Sequence, residues 1–266
     1  MNTDQAKHLA ENALNALIEG LEKGRSEALR AYLAAMGRFH KYSWGNCLLI
    51  ASQKPDATHV AGFHTWLTLR RYVRKGEKGI VILAPMVGKK RAEQEDATET
   101  EQARVFGFRA AHVFDVSQTD GEPLPDFAET KGDPEDFAAR LNGLIAEHGI
   151  TLDHSEKIAP AKGVSAGGAI TLLPGMAPAE EFAVMVHEFA HERLHSGARR
   201  KETSKTVRET EAEAVAFVVC QAIGLDTNTA AADYIQLYSG DKGTLAESLG
   251  LIQQTAAEIL VGIGAG

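Results

Sequence analysis

The residues best placed to do chemistry lie in the pentapeptide HEFAH, residues 187–191. Two histidines four apart on a helix project from one face about one turn apart, so both imidazoles can reach a single Zn2+ at about 2.0–2.1 Å. Glu188 lies beside them in the sequence. A carboxylate next to a metal-bound water can take its proton and leave a nucleophile for amide hydrolysis. His187 and His191 are therefore read as metal ligands and Glu188 as the catalytic base, with Zn2+ the expected ion and Mn2+ an alternative.

Two histidines fall short of the three protein ligands that a catalytic zinc site keeps. Residues 208–213, RETEAE, open a helix downstream, at a separation from His191 typical of zincins with a glutamate ligand. Glu209 and Glu213 are one turn apart on one face, so Glu209 is assigned as the third ligand and Glu213 as the acceptor that orients a ligand histidine. Glu211 lies about 160° round the helix and is the alternative ligand. His195 continues the row begun by His187 and His191. Three histidines on one straight helix span about 12 Å, too far to converge on one ion, so His195 is read as a surface or capping histidine.

A second cluster is basic and aromatic. Residues 38–91 hold eleven Lys or Arg against two acids, Asp56 and Glu77, a local charge of +9 in a chain of net charge -8. Tyr42, Trp44, Phe63, Trp66 and Tyr72 supply flat faces, while Arg70, Arg71, Arg74, Lys75 and Lys78 can neutralise phosphates. Base faces are open only where bases are unpaired, which points to single-stranded DNA. The candidate DNA contacts are Tyr42, Trp44, Asn46, Trp66, Arg70, Arg71, Arg74, Lys75 and Lys78.

These residues need elements to hold them. Apolar residues from Ala6 to Leu21 recur at helical spacing, and a second helix is predicted from Ser26 to about Phe39. Ser43 can cap a third helix, which must stop near Lys54 because Pro55 disfavours helical geometry before it. A short strand at 59–63, a short helix around Trp66, a basic turn and an apolar strand at 80–85 follow. Residues 92–103 read as a solvated acidic loop and 104–116 as a strand. Further on, helices are expected at about 134–148, 178–195, 205–224, 228–238 and 244–262, with short strands near 150–158 and 169–173.

Residues 117–134 carry three prolines, two glycines and many acids, as a linker does. The expected organisation is a DNA-binding domain at 1–120, a linker at 121–133 and a metallopeptidase domain at 134–266. The fold class is α+β, with a mixed α/β N-terminal domain and a helix-rich C-terminal one. Tyr234 and Tyr238 are candidate phenols for the transition-state oxyanion.

Composition narrows the setting. The chain has 266 residues, 44% hydrophobic and 24% charged, which excludes wholesale disorder. Two cysteines, Cys47 and Cys220, cannot form a multi-disulfide framework and fit a reducing cytoplasm. No apolar run approaches the roughly 18 residues of a membrane helix, so no membrane partner is expected.

HEFAH followed by RETEAEAVAFVVCQAIGL resembles the zincin half of ArdC-type antirestriction proteins, and more distantly ImmA/IrrE-type and SprT-like metallopeptidases. The resemblance transfers the ligand role to Glu209 through ExxAE at 209–213, although position 213 is Glu where the distant relatives have Asp or Asn. YSWGNCLLIA and VAGFHTWLTLRRYVRKGEKGIVILAP are similar, in order and spacing, to the N-terminal single-stranded-DNA-binding domain of the same family. Together these stretches cover roughly residues 5–225. The resemblance implies protection of incoming plasmid or mobile-element DNA against restriction, through DNA binding coupled to a domain similar to zinc-dependent metalloendopeptidases, and leaves open whether there is a protein substrate. Two alternatives stand beside it: an ImmA/IrrE-like endopeptidase that cleaves a repressor, and a DNA-binding protein whose metal is purely structural.

Overall fold

The computed structural model describes residues 2–23, 27–88, 104–123, 134–225 and 242–265. The chain forms two compact units, one of Met1–Asn15 with Leu48–Glu122, the other of Ala16–Cys47 with Pro123–Gly266. It passes from one to the other within helices α1 (Thr3–Glu22) and α3 (Trp44–Gln53), and again after Glu122.

The first unit is built on a sheet of β1 (Val60–Gly62), β4 (Arg104–Asp115) and β3 (Ile80–Gly88), all antiparallel in that order. The β-branched run Ile80, Val81 and Ile82 is buried, and Ile80 pairs with buried Val113. The short helix α4 (Phe63–Thr68) adds Trp66 to this core. Asp115 ends β4 and organises the return of the chain. Its carboxylate accepts from the backbone N–H groups of Thr58 at 2.7 Å, His59 at 3.1 Å and Ser117 at 2.9 Å. The Gln118 side chain reaches back to the Asp115 N–H at 2.9 Å, completing a capping box.

A two-stranded ribbon of β2 (Arg71–Val73) and β5 (Thr119–Gly121) carries the basic turn. Gly121 is required there: its φ is +137°, and a Cβ would lie 2.3 Å from the Arg70 carbonyl oxygen.

The second unit is helical around a small sheet. Strand β8 (Ala169–Leu172) lies between β6 (Thr151–His154), which is parallel to it, and β7 (Gly163–Ser165), which is antiparallel. Helices α2 (Glu27–Arg38), α5 (Pro134–Glu147), α6 (Pro178–Leu194), the short α7 (Arg199–Glu202), α8 (Lys205–Ala222) and α9 (Lys242–Gly262) complete it. Phe182, Val186 and Phe189 of α6 and Val215, Val218 and Val219 of α8 are buried in its core. Pro178 opens α6 and Glu180 and Glu181 occupy its first turn, where carboxylates favour the helix dipole.

Residues 16–47 depart from the simple split expected near residue 120. In α2, Leu29, Leu33 and Met36 are buried, and Gly37 sits so close to α8 that a Cβ would lie 2.8 Å from the Val218 carbonyl oxygen. Gln253 in α9 donates to the carbonyls of His40 and Tyr42, both at 3.1 Å. Periodicity shows that α2 has an apolar face; it does not say which neighbour covers that face. Strand β7 also escaped the sequence reading, since three residues between glycines leave no period to detect. The expected loop at 92–103, helix at 228–238 and linker residues 124–133 lie outside the described residues. No helix among the described residues is long and apolar enough to cross a membrane.

Candidate metal centre

Helix α6 supplies the two histidines and α8 the glutamates. Ser204 caps α8, its Oγ accepting from the Val207 N–H at 3.2 Å, and this fixes the register of the turn that follows. The Nε2 atoms of His187 and His191 are 3.1 Å apart. Glu209 Oε2 lies 3.5 Å from each of them. A tetrahedral ion with bonds of about 2.0–2.1 Å holds its ligand atoms about 3.3–3.4 Å apart, so this triangle has the size that one zinc-like cation needs. Among the described residues it is the one cluster of three such donors within reach of a single ion. Glu213 Oε2 lies 3.6 Å from His187 Nδ1, on the side of the ring turned away from the triangle.

Glu188 is buried beside this triangle and receives hydrogen bonds from Ser165 on β7. Burial pushes its carboxyl above the usual carboxylate range. Glu188, His187 and Glu213 border a cavity of about 840 Å³ whose walls are mostly small and apolar, including Ala183, Val184 and Ala216. The histidines are driven apart. Burial lowers His187, but hydrogen bonds to Glu209 and Glu213 outweigh it and raise the ring to about 9. Burial and the neighbouring His187 push His191 down to about 4. The hydrogen bond with His187 helps bring Glu209 down to about 2.

The structure corrects two readings of nearby residues. His195 is not at the surface: its side chain is buried, with Nδ1 3.0 Å from His191 Nδ1 and Nε2 2.9 Å from Glu211 Oε2. Its ring points inward from the end of α6 onto α8. Glu211, the alternative ligand, is fully buried away from the triangle and is held by His195, by Arg199 at 2.6 Å and by Ser248 at 2.6 Å. Tyr234 and Tyr238 lie outside the described residues.

The DNA candidates divide. Trp66 is 2% exposed and donates its indole N–H to the Phe114 carbonyl at 2.9 Å, so its ring is core and has no face for a base, contrary to the sequence reading. Asn46 is likewise buried. Tyr42 and Trp44 are half-buried members of the second unit, and Trp44 packs beside Gly250.

Much of the basic turn is matched by acids, one within the turn itself and two from β5 and the residue after it. Arg70 pairs with Glu122 at 3.2 Å, and Arg74 with Glu77 at 2.8 Å and Asp120 at 3.5 Å. Arg71 spends its guanidinium on Thr119, at 2.8 Å to the hydroxyl and 3.0 Å to the carbonyl, and on the Glu122 carbonyl. Lys75 and Lys78 are exposed and enter no ion pair among the described residues. The open aromatic faces of this unit are Tyr72 at 61%, Phe106 at 69%, Phe108 at 52% and Phe63 at 46% exposure. The sequence reading passed over Phe106 and Phe108. Phe106 falls at an irregularity of β4, between Val105, which pairs with Val87, and Gly107, which pairs with Met86; two aromatics two apart in this strand end were the available signal.

Comparison with known proteins places these features in a family context. Residues 7–114 match the family model described as the N-terminal domain of anti-restriction factor ArdC. The crystal structure of antirestriction protein ArdC from the R388 plasmid in its metal-free form superposes with a TM-score of 0.56 at 20% identity, covering 96% of this chain and 97% of that one. Its Mn(II)-bound form gives 0.54 at 19% identity with the same coverage. An uncharacterized protein of Bacillus anthracis is 25% identical over 85% of this chain, and the chain spans 46% of that relative's length. The likeness to ArdC-type antirestriction proteins thus lies in sequence over residues 7–114 and in fold over nearly the whole chain.

Proposed function

We propose that this ArdC-like chain is an antirestriction factor that binds single-stranded DNA and carries a zinc-dependent metallopeptidase site. The observation that carries the reading is the 3.1, 3.5 and 3.5 Å triangle of His187, His191 and Glu209 donor atoms with Glu188 buried beside it. The Mn(II)-bound form of the R388 relative supports a divalent cation at such a site. When bound, the ion would polarise a water molecule and lower its pKa. His187, His191 and Glu209 hold the ion, and Glu213 orients His187 through Nδ1. Glu188, steadied by Ser165, takes the proton of the attacking water and delivers it to the departing amine. The apolar cavity beside it gives a peptide side chain somewhere to dock. A metal with a purely structural task has no use for a buried carboxylate facing an open cavity.

The DNA half of the reading keeps Lys75 and Lys78 from the sequence reading and replaces the buried Trp66 with exposed rings. Phe106, Phe108 and Tyr72 offer exposed rings for stacking, and Lys75 and Lys78 offer unpaired cations for phosphates. Cytoplasmic placement agrees with two buried, unbridged cysteines.

The deciding experiment is metal analysis of the purified full-length protein together with peptidase assays of wild type and Glu188→Gln, with and without single-stranded DNA. Bound zinc, with hydrolysis lost only in the variant, is the expected result. A wild type that binds zinc and cleaves nothing under either condition removes the peptidase reading. A protein without affinity for zinc removes the metal site.

A further inference from the structure

We propose that His195 and Glu211 are positioning residues that lock His191 into the one tautomer able to bind a metal through Nε2. The inference rests on the metal-site reading above and concerns residues outside the triangle.

The proton positions follow from the contacts in order. Glu211 Oε1 accepts from Arg199 Nη2 and from the Ser248 hydroxyl, both at 2.6 Å, so the Arg199 cation balances a carboxylate that carries no proton. Glu211 Oε2 lies 2.9 Å from His195 Nε2 and can only accept there, so His195 bears its hydrogen on Nε2. With its Nε2 hydrogen committed to Glu211, His195 turns Nδ1 toward His191 Nδ1 and offers the lone pair of that nitrogen. The hydrogen in the 3.0 Å gap between the two Nδ1 atoms therefore belongs to His191. A neutral His191 with its hydrogen on Nδ1 has its lone pair on Nε2, the atom that faces His187 and Glu209. Reversing any link would put a hydrogen on Nε2 and block it.

Four elements contribute: α6 supplies His191 and, at its C-cap, His195; α7 supplies Arg199, α8 Glu211 and α9 Ser248. Arg199 is itself tied to Glu247 of α9 at 3.1 Å. His195 and Glu211 side chains are both fully buried, where an unmatched polar group is costly, so the chain has a strong reason to stay fully paired. Glu213 does for His187 what this chain does for His191, through a weaker 3.6 Å contact.

The test compares His195→Asn with His195→Phe in the full-length protein. The Asn amide oxygen can still accept from His191 Nδ1; Phe keeps the ring shape and accepts nothing. Zinc affinity, measured by chelator competition, should fall about 10- to 100-fold in the Phe variant and change less than about threefold in the Asn variant. Melting of the metal-free proteins provides the control for folding. Zinc affinity in the Phe variant equal to wild type, or equal losses in both variants, overturns the proposal. Should the Phe variant fail to fold, long-range 1H–15N NMR of histidine-labelled wild type decides it: the expected hydrogen is on His191 Nδ1, and one on Nε2 overturns the proposal. The metal-free protein answers the same question, so a wild type that binds no zinc would sink the metal site and still leave the relay decided.

Discussion

Gly163 and Glu188 are in such close contact that a Cβ on the glycine would lie 2.7 Å from both Cγ and Oε1 of the glutamate. Strand β7 thereby walls one side of the carboxylate, while Ser165 two residues on supplies its hydrogen bonds. Gly163→Ala should push the carboxylate aside and leave the three metal donors in place. The expected outcome is unchanged zinc content with peptidase activity lowered about 100-fold, a loss typical of a misplacement near 1 Å. Zinc content and turnover measured on the same preparation check it.

His187→Ala and His191→Ala should each release the ion and lower the melting temperature of the zinc-loaded protein, whereas Glu188→Ala should keep the ion. Equal zinc content in wild type and His187→Ala would defeat the ligand assignment.

Glu209 and Glu211 should separate by what they damage. Glu209→Ala removes a half-exposed ligand, so zinc affinity falls, while the metal-free protein loses only the half-exposed contacts to His187 and His191 and melts slightly lower. Glu211→Ala leaves Arg199 and His195 facing an empty buried position, a loss of about 3–5 kcal/mol that thermal melting of the metal-free protein would show.

In the first unit, Trp66→Ala should cost about 3–5 kcal/mol of stability, as a truncated core aromatic does. Phe106→Ala with Phe108→Ala should leave melting unchanged and weaken single-stranded DNA binding by about 1–3 kcal/mol per stacked base, with the salt slope unaltered. Neutralising Lys75 and Lys78 together should instead flatten the slope of log K against log salt by up to about 1.4, from roughly 0.7 per phosphate contact. Titrations of labelled oligonucleotide at several salt concentrations distinguish the two surfaces.

Burial raises the Asp115 carboxyl, but the hydrogen bonds from Ser117, Thr58 and His59 outweigh it and leave it below its usual range. A depressed folded pKa means that the stabilisation is present above the unfolded pKa and is lost as pH falls through the folded one. Wild type should therefore lose stability on acidification, and Asp115→Asn should be less stable at neutral pH with a shallower acid dependence. Melting from pH 7 to pH 3 reads both.

What the residues themselves determined is local. The spacing of His187 and His191, the cap at Ser43, the stop before Pro55 and the β-branched run at 80–82 all act within a turn or a few residues, where geometry follows directly from chain covalency. Helical phase alone put Glu209 and Glu213 on one face, and the structure turns that face toward α6. The tertiary structure decided everything that depended on a partner distant in the chain. Trp66 meets Phe114 across 48 residues, Arg74 meets Asp120 across 46, and Glu211 meets Ser248 across 37. A run of aromatics and cations reads the same whether its rings pack inward and its charges are matched by a returning strand, or both stand open to a ligand. Only the fold separates those cases, because burial and charge pairing are set by which surfaces meet, and no spacing along the chain encodes that meeting.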